Sequence, residues 1–104
     1  MIRASVMYPA GEGKTFDHAY YANKHMALVK ERLGQLGLLR CEVDRGLAGG
    51  APGSGAPFAC IGHLYFNSVG EFQQAMKAHG RELMADVPNF TNIQPQVQIS
   101  EIMA

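Results

Sequence analysis

The sequence predicts an α+β domain in which two helices cover one face of a four-stranded antiparallel sheet. Three observations predict this class. Four segments carry the apolar alternation of strands, two segments carry the three-to-four-residue spacing of helices, and glycine- and proline-rich turns separate them in the order β-α-β-β-α-β. Because crossover connections are right-handed, this order places both helices on the same side of the sheet.

The first half of the chain begins with a strand and a helix. Residues 2–8 alternate between two differently used faces, and the glycine-rich stretch that follows them is typical of a turn. A helix is predicted over residues 16–34 from its apolar spacing. The candidate caps are Thr15 and Asp17 at its start and Gly34 and Gly37 at its end.

The second half adds two more strands, a long loop, a helix and a last strand. Ser68 and Glu71 have the spacing of a capping box, which indicates the start of the second helix. No internal repeat or boundary interrupts the pattern, so residues 1–104 are predicted to form a single domain. The predicted segments are a strand at 38–46, a loop at 47–57, a strand at 58–66, a helix from Ser68 to about Met84 and a strand at 95–103.

This order is that of a ferredoxin-like sandwich, which leaves one face of its sheet without helices. Strand alternation assigns Phe58, Cys60, Gly62, Leu64, Phe66, Val97 and Ile99 to the helix side. The open side is assigned Arg3, Ser5, Met7, Ile61, His63, Tyr65, Gln96, Gln98 and Ser100. Because this open side mixes polar and apolar groups, it is typical of a sheet-to-sheet homodimer, of a pocket wall, or of both.

Composition excludes several classes of partner. Nine basic residues balance nine acidic ones, so the chain has no net field to attract nucleic acid or an acidic membrane. No apolar run approaches the ~20 residues of a membrane span, and no signal peptide is recognisable, which predicts a cytoplasmic protein. Cys41 and Cys60 are expected to be reduced thiols that lie near each other on adjacent strands.

The first helix carries an unusual density of histidine and tyrosine. At about 100° per residue, His25 and Tyr21 fall on a stripe at the edge of the core. One interpretation of His25 is a helix-edge side chain bonded to backbone or water. The other is a general base near pH 7, since a free histidine has a pKa of about 6.5, with Tyr21 orienting it or a substrate oxygen. The predicted core stripe itself is Ala19, Ala22, Met26, Val29 and Leu33.

No metal or nucleotide motif is present. His18 and His25 lie seven residues apart, too far for an i, i+4 chelating pair, and HExxH, CxxC and CxxCH are all missing. The stretch GEGKT suggests a phosphate loop, but Tyr8 occupies the position where that motif requires its first glycine. The sequence therefore predicts neither a metal site nor a nucleotide site.

Several stretches together resemble the EthD family, small proteins first linked to ethyl tert-butyl ether degradation. These stretches are MYP, FDHAYYANKHMALV, GLAGGAPG, GHLYF and MADVPNFTNIQPQVQISEI. The resemblance implies a dimeric α+β barrel, in which two ferredoxin-like sheets face each other. It also directs attention to Tyr21 and His25, because the family's helix typically reads Phe-Asp-x-x-Tyr-Tyr followed by a histidine. Similar sequences commonly have proline two residues after this histidine, where the present chain has Ala27.

The expected function is that of a small catabolic enzyme of oxidoreductase type, independent of a cofactor, acting on an aromatic, ether or carbonyl compound. His25 would be the base and Tyr21 its catalytic partner. Alternatives are a non-catalytic binding or accessory dimer, and a cyclase, isomerase or decarboxylase that uses the same base without oxygen. Haem is an alternative only if an imidazole ligates iron, which a Soret band would reveal. The predicted substrate-binding residues are His63, Tyr65, Met7, Phe90 and Gln98.

Overall fold

Four antiparallel strands form the sheet of the computed structural model, which describes residues 1–104. The strand order is β2-β3-β1-β4, so β1 and β3 are central and β2 and β4 are the edges. This is the predicted ferredoxin-like topology. The strands are β1 at Ile2–Pro9, β2 at Arg40–Arg45, β3 at Phe58–Phe66 and β4 at Gln96–Glu101.

The helical layer lies on one face of this sheet and differs from the prediction in its first helix. Where the sequence predicts one regular helix, three consecutive segments differ in their hydrogen-bond spacing. They are α1 at His18–Tyr20, a π-helical segment at Tyr21–His25 and α2 at Met26–Leu33. The remaining helical elements are α3 at Val69–Ala85 and two 3₁₀ turns at Gly34–Leu36 and Val87–Asn89.

The predicted helix ends are formed by short polar side chains and one glycine. The Asp17 carboxylate accepts a hydrogen bond from the Tyr20 backbone N–H at 3.0 Å, and Ser68 Oγ accepts one from the Glu71 N–H at 3.1 Å. Each bond satisfies a donor that the first helical turn leaves free. The consecutive helical segments over residues 18–36 form the first helical run. Gly37 ends this run with a left-handed φ of 103°, which glycine adopts without steric cost.

Strand register assigns side chains to the two faces as predicted. Ser5 lies opposite His63 on β3 and Gln98 on β4, whereas its neighbour Ala4 lies opposite Leu64 and Ile99. Since alternate residues point to opposite faces, one set meets the helices and the other forms the open face.

The core fills the space between the sheet and the helices. Leu33, Cys60 and Phe66 are fully buried there, together with Ala4 and Ala75. Burial in this layer supplies the main favourable free energy of folding. None of the helices is both long and apolar enough to cross a membrane.

Two apolar residues assigned to the helix side are nevertheless accessible. Val97 is 55% exposed and Ile99 is 37% exposed. Both belong to β4, and because β4 is an edge strand the two helices do not extend over it.

The two cysteines are not near neighbours in the sheet. Cys41 lies opposite Leu64, whereas Cys60 lies opposite Arg45, so the two are separated by four positions along the β2–β3 ladder. The expectation that they lie close together is therefore wrong. Both thiols are free, and burial raises the pKa of Cys60 to about 12, as expected of an unreactive core thiol.

Candidate active site between the helices and the sheet

A small cavity lies between the first helical run, α3 and the centre of the sheet. Its volume is about 50 Å³, and ten of its twelve lining residues are hydrophobic. The polar atoms at its wall come from tyrosine and histidine side chains. The lining residues are Val6, Tyr8, Tyr21, His25, Met26, Val29, Gly62, Leu64, Met76, Leu83, Met84 and Val87.

The π-helical segment turns Tyr21 and His25 into this cavity. The Met26 N–H bonds to the Tyr21 carbonyl, five residues back, where a regular α-helix would bond four residues back. Tyr21 is 1% exposed and His25 is 6% exposed, so both lie inside the core and the predicted helix-edge position is wrong. Conversely, Ala19 and Ala22, predicted as core, are exposed.

Asp86 fixes the orientation of the His25 ring. His25 Nδ1 lies 2.9 Å from Asp86 Oδ2. The other carboxylate oxygen, Oδ1, accepts hydrogen bonds from the Tyr20 hydroxyl at 2.8 Å and the Asn89 amide at 2.9 Å. Because an ionised carboxylate can only accept, Nδ1 carries the proton of a neutral His25 ring, and Nε2, which has no partner in the chain, carries the lone pair.

Opposing effects act on the Asp86 carboxyl. Burial raises its pKa, but the hydrogen bonds donated by Asn89, His25 and Tyr20 outweigh burial and leave the pKa below its ordinary value. Asp86 therefore stays ionised at neutral pH, and its negative charge is held against the imidazole. A carboxylate in this position stabilises the imidazolium that forms when Nε2 takes up a proton.

Two tyrosines line the cavity beside His25. The Tyr21 ring stacks on the His25 ring with centroids 5.2 Å apart, and the Tyr8 ring meets Tyr21 edge-on at 5.6 Å. Burial raises the pKa of Tyr8 to about 12 and raises that of Tyr21 further, so both hydroxyls remain protonated. The two hydroxyls are hydrogen-bonded to each other, with Tyr21 donating to Tyr8, so the Tyr8 hydroxyl is the donor that remains available to an oxygen in the cavity.

Gly62 on β3 leaves room for the Tyr21 hydroxyl. A Cβ atom at position 62 would collide with that hydroxyl and would approach the Met26 Cε at 3.6 Å. A side chain here would displace the Tyr21 ring from the cavity wall. The glycine in the GHLYF stretch thus serves the close approach of helix and sheet.

Phe90 is the one predicted substrate-binding residue that lies beside His25. It is buried, with its ring centroid 4.8 Å from that of His25 and 5.0 Å from that of Tyr21. Phe16 joins the same aromatic cluster, 5.4 Å from Phe90. Phe90 thus packs against the imidazole, although neither Phe90 nor Phe16 is among the residues that line the cavity.

The other predicted substrate-binding residues lie on the opposite side of the sheet. Met7, His63, Tyr65 and Gln98 all belong to the open face, because their strand positions have the same parity as Arg3 and Ser5. They cannot reach the cavity that contains His25, since the sheet backbone lies between. The expectation of one site that combines His25 with His63 is therefore wrong for a single chain.

These open-face side chains are engaged with one another. His63 contacts Ser5 and Asp44, the Tyr65 hydroxyl donates to Glu42 at 2.7 Å, and the Gln98 amide donates to Ser100 at 3.0 Å. Across the whole chain, no group of three histidine, cysteine, aspartate or glutamate side chains is arranged to hold a metal ion.

The sequence did not single out Asp86, Tyr20 or Gly62. Asp86 lies 61 residues from His25, and only the packing of α3 against the first helical run brings them together. Of these three residues, only Gly62 carried a signal in the sequence, because a glycine inside a strand pattern often marks the close approach of another part of the chain.

Comparison with known proteins agrees with this fold. An EthD domain is matched over residues 10–94. The structure of an EthD-like protein from Ralstonia eutropha JMP134 is 43% identical, with a TM-score of 0.93 over 99% of this chain and 92% of that chain. An EthD family protein from Bacillus halodurans C-125 is 24% identical, with a TM-score of 0.66 over 99% of both chains.

More distant structures share the fold alone. A "putative monooxygenase" from Shewanella loihica PV-4 is 12% identical, with a TM-score of 0.62 over 99% of this chain and 94% of that chain. No protein with curated annotation is significantly similar to the sequence. Since the family match spans most of the chain and the Ralstonia protein is 43% identical over nearly its full length, the chain belongs to the EthD family.

Proposed function

We propose that this protein is an enzyme that removes a proton from a small neutral substrate, with His25 Nε2 as the base. One observation carries the proposal. Asp86 Oδ2 accepts a hydrogen bond from His25 Nδ1 at 2.9 Å, and this leaves Nε2 of a neutral ring as an unpaired base on a residue that lines an apolar cavity.

The lining restricts the class of substrate. It contains no lysine or arginine, and Asp86 places a negative charge directly behind His25. An anionic substrate would therefore meet repulsion without a compensating cation. A neutral compound with an acidic C–H or O–H beside a carbonyl or phenolic oxygen fits, because the Tyr8 hydroxyl can donate to that oxygen.

The cavity is small for such a compound. About 50 Å³ is well below the roughly 300–1,000 Å³ of typical drug-sized ligand sites. Three of the lining residues, Met26, Met76 and Met84, are methionines, whose unbranched side chains repack readily. Substrate entry would therefore proceed by movement of methionines, with Met84, which is 52% exposed, at the solvent side.

For the reaction that follows, we favour oxidation by molecular oxygen. Deprotonation leaves an electron-rich anion, to which oxygen can add. One oxygen atom stays in the product as a carbonyl, and the other leaves as water. The Shewanella protein, which shares the fold, is named a "putative monooxygenase", and that name agrees with an oxygen-dependent reaction. Haem or another cofactor is not required, and a Soret band in the purified protein would contradict that part of the proposal.

The same base could instead serve isomerisation, cyclisation or decarboxylation. The Asp86–His25 pair supports this second candidate equally, because it provides proton transfer without specifying an oxidant. Comparing product formation in air and under argon separates the two, since only oxidation consumes oxygen.

Deuterium exchange tests the base directly before the full reaction is known. Neutral ketones, β-dicarbonyl compounds and phenols with exchangeable C–H groups are incubated with protein in D₂O, and exchange is followed by NMR. We expect catalysed exchange by the wild type and its loss in His25→Gln. His79→Gln, which changes an α3 histidine outside the cavity, is the matched control. Binding without exchange by the wild type would instead favour the non-catalytic binding function.

We also propose that the chain works as a homodimer in which a second copy covers the open face of the sheet. Met7 and Ile61 are cross-strand partners on that face, and both are partly accessible. The net charge of zero imposes no long-range repulsion between copies.

A further inference from the structure

A second and larger space borders the cavity that contains His25. It is an open groove of about 420 Å³, formed by residues between the last turn of α3 and the start of β4. Met84 and Val87 line both spaces. These two side chains therefore form the wall between the groove and the cavity. The other groove residues are Pro88 and residues 91–95.

The two spaces complement each other in size. The cavity, at about 50 Å³, has room only for the reacting end of a substrate. The groove, at about 420 Å³, falls within the roughly 300–1,000 Å³ of typical small-molecule sites. A substrate that reaches His25 would thus have its remaining atoms in the groove.

The chemistry of the groove favours an uncharged, apolar occupant. No charged residue lines it. The Thr91 hydroxyl already donates to the Thr15 carbonyl at 2.6 Å. The Asn92 side chain donates to the Gly13 carbonyl and accepts from the Thr15 N–H, each at 2.9 Å. Of the polar lining side chains, only that of Gln94 makes no hydrogen bond within the chain, so the groove offers little recognition of polar groups.

The wall between the two spaces combines a fixed and a movable side chain. Val87 begins a 3₁₀ turn, and its carbonyl accepts hydrogen bonds from the Phe90 and Thr91 N–H groups, both at 3.1 Å. Met84 has an unbranched side chain and is 52% exposed, so it can change rotamer without disturbing the core. Movement of Met84 alone would join the groove to the cavity and leave Asp86 in place.

The groove remains accessible in the proposed homodimer. Met84 and Val87 belong to the helical layer, whereas the second copy would cover the opposite face of the sheet. Pro88, Asn92 and Gln94 are exposed to solvent. A ligand can therefore enter the groove from outside.

We propose that this groove binds an apolar alkyl tail of the substrate, and that Met84 moves aside so that the reacting end lies beside His25. The inference rests on the proposed function, since it takes the cavity as the place of reaction. It narrows the substrate to neutral carbonyl or phenolic compounds with a chain of several carbons. Such a chain gains free energy by leaving water and needs no hydrogen-bond partner.

Ketone chain length tests the tail site by binding alone. 2-Butanone, 2-heptanone and 2-nonanone are titrated into nitrogen-15-labelled wild type and into His25→Gln, and the backbone amide shifts are followed by NMR. We expect the affinity to rise about two- to fourfold for each methylene that the groove covers, with the largest shift changes at Ile93 and Gln94. In the exchange assay with the wild type, KM should fall along the same series.

A charged tail tests the position of the site. 8-Oxononanoate differs from 2-nonanone in having a carboxylate in place of the terminal methyl group, and the wild type should bind it more weakly. Gln94→Lys should bind it about two- to fivefold more tightly than the wild type does, because the new ammonium group pairs with the carboxylate. Gln73→Lys, at an exposed glutamine on α3 outside both spaces, is the matched control and should bind it like the wild type.

The outcomes separate the tail site from the proposed function. Equal affinities along the ketone series, or shift changes confined to residues outside the groove, would overturn the tail site even if exchange is observed. Equal tightening by Gln94→Lys and Gln73→Lys would also overturn it, since the effect would then depend on net charge. Absence of exchange together with chain-length-dependent binding in the groove would contradict only the proton-transfer function and would support the tail site.

Discussion

Asp86 illustrates how one side chain can define the chemistry of another. Replacing it by Asn keeps the shape but allows the amide to donate, so that His25 can adopt the other tautomer or lose its fixed orientation. We expect Asp86→Asn to slow proton exchange by about 10²-fold or more with a small change in KM. Asn89→Ala removes only one of the hydrogen bonds to Asp86 and should have a much smaller effect.

The lowered pKa of Asp86 also predicts a pH dependence of stability. Because the folded state favours the carboxylate, Asp86 contributes stability above its unfolded pKa of about 3.8, and this contribution is lost as the pH falls through the folded value. The difference in free energy of unfolding between wild type and Asp86→Asn should therefore be largest near neutral pH and narrow below pH 3.8. Urea denaturation across this range measures it. A difference that grows toward acid pH would contradict the assignment.

Gly62 offers a test of the packing between helix and sheet. In Gly62→Ala the new methyl group and the Tyr21 hydroxyl would occupy the same space, and Tyr21 is fully buried. We expect a loss of about 1–3 kcal/mol in the free energy of unfolding, measured by urea denaturation. Gly70→Ala on α3, where a Cβ atom meets nothing closer than 3.9 Å, should not destabilise the protein in the same assay.

Individual site residues were predictable only in part from the sequence. Histidine and tyrosine density drew attention to Tyr21 and His25, which both line the cavity, yet regular helix geometry placed them at the edge of the core. Asp86 carried no local signal, since its role depends on a contact across 61 residues. Pairings over such distances arise from packing, which periodicity within one segment does not encode.

Among the secondary-structure elements, the π-helical segment explains the misplacement of Tyr21 and His25. In a regular helix, five residues would rotate Met26 about 140° away from Tyr21. The wider π turn lets Tyr21, His25 and Met26 all face the core, and each of the three is buried. A π-helical turn contains one residue more than an α-helical turn. The sequence pattern before and after this segment is that of a regular helix, so periodicity could not locate the extra residue.

Removing that extra residue should separate folding from function. Ala22 is exposed, and deleting it would convert the Met26-to-Tyr21 bond into a regular i, i+4 bond while Tyr21, Met26 and Val29 stay on the core face. We expect a folded protein with native-like helical circular dichroism, but with His25 turned away from Asp86 and proton exchange reduced at least tenfold. Unchanged exchange in the folded deletion variant would show that the π geometry is dispensable.

Strand alternation was the most reliable guide to the sheet. It assigned Ser5, His63 and Gln98 to one face, and the register agrees. It could not indicate which face contains the cavity, because the mixed polar and apolar groups of the open face are also typical of a pocket wall. The initial grouping of His25 with His63 failed for this reason, since the two lie in layers separated by the sheet backbone.

The molecule as a whole is a slab of 41 × 34 × 19 Å, with helices on one side only. If a second copy covers the open side, light scattering should give twice the 11.3 kDa of one chain. Met7→Asp would place a charge on the covered face and should shift the protein toward monomers. Val97→Asp, on the helix side of β4, is the control that should remain dimeric. A wild-type mass of one chain at all concentrations would contradict the dimer.

Nitrogen-15 NMR of the histidine side chains, recorded near pH 8.5 where free histidine is neutral, tests most directly whether His25 is a base prepared for proton transfer. Among the signals of the four histidines, those of His25 are identified by their absence from the spectrum of His25→Gln. We predict that His25 carries its proton on Nδ1 and leaves Nε2 unprotonated, and that Asp86→Asn weakens this preference. A wild-type His25 protonated on Nε2 would contradict the proposed function, because no base would then face the cavity.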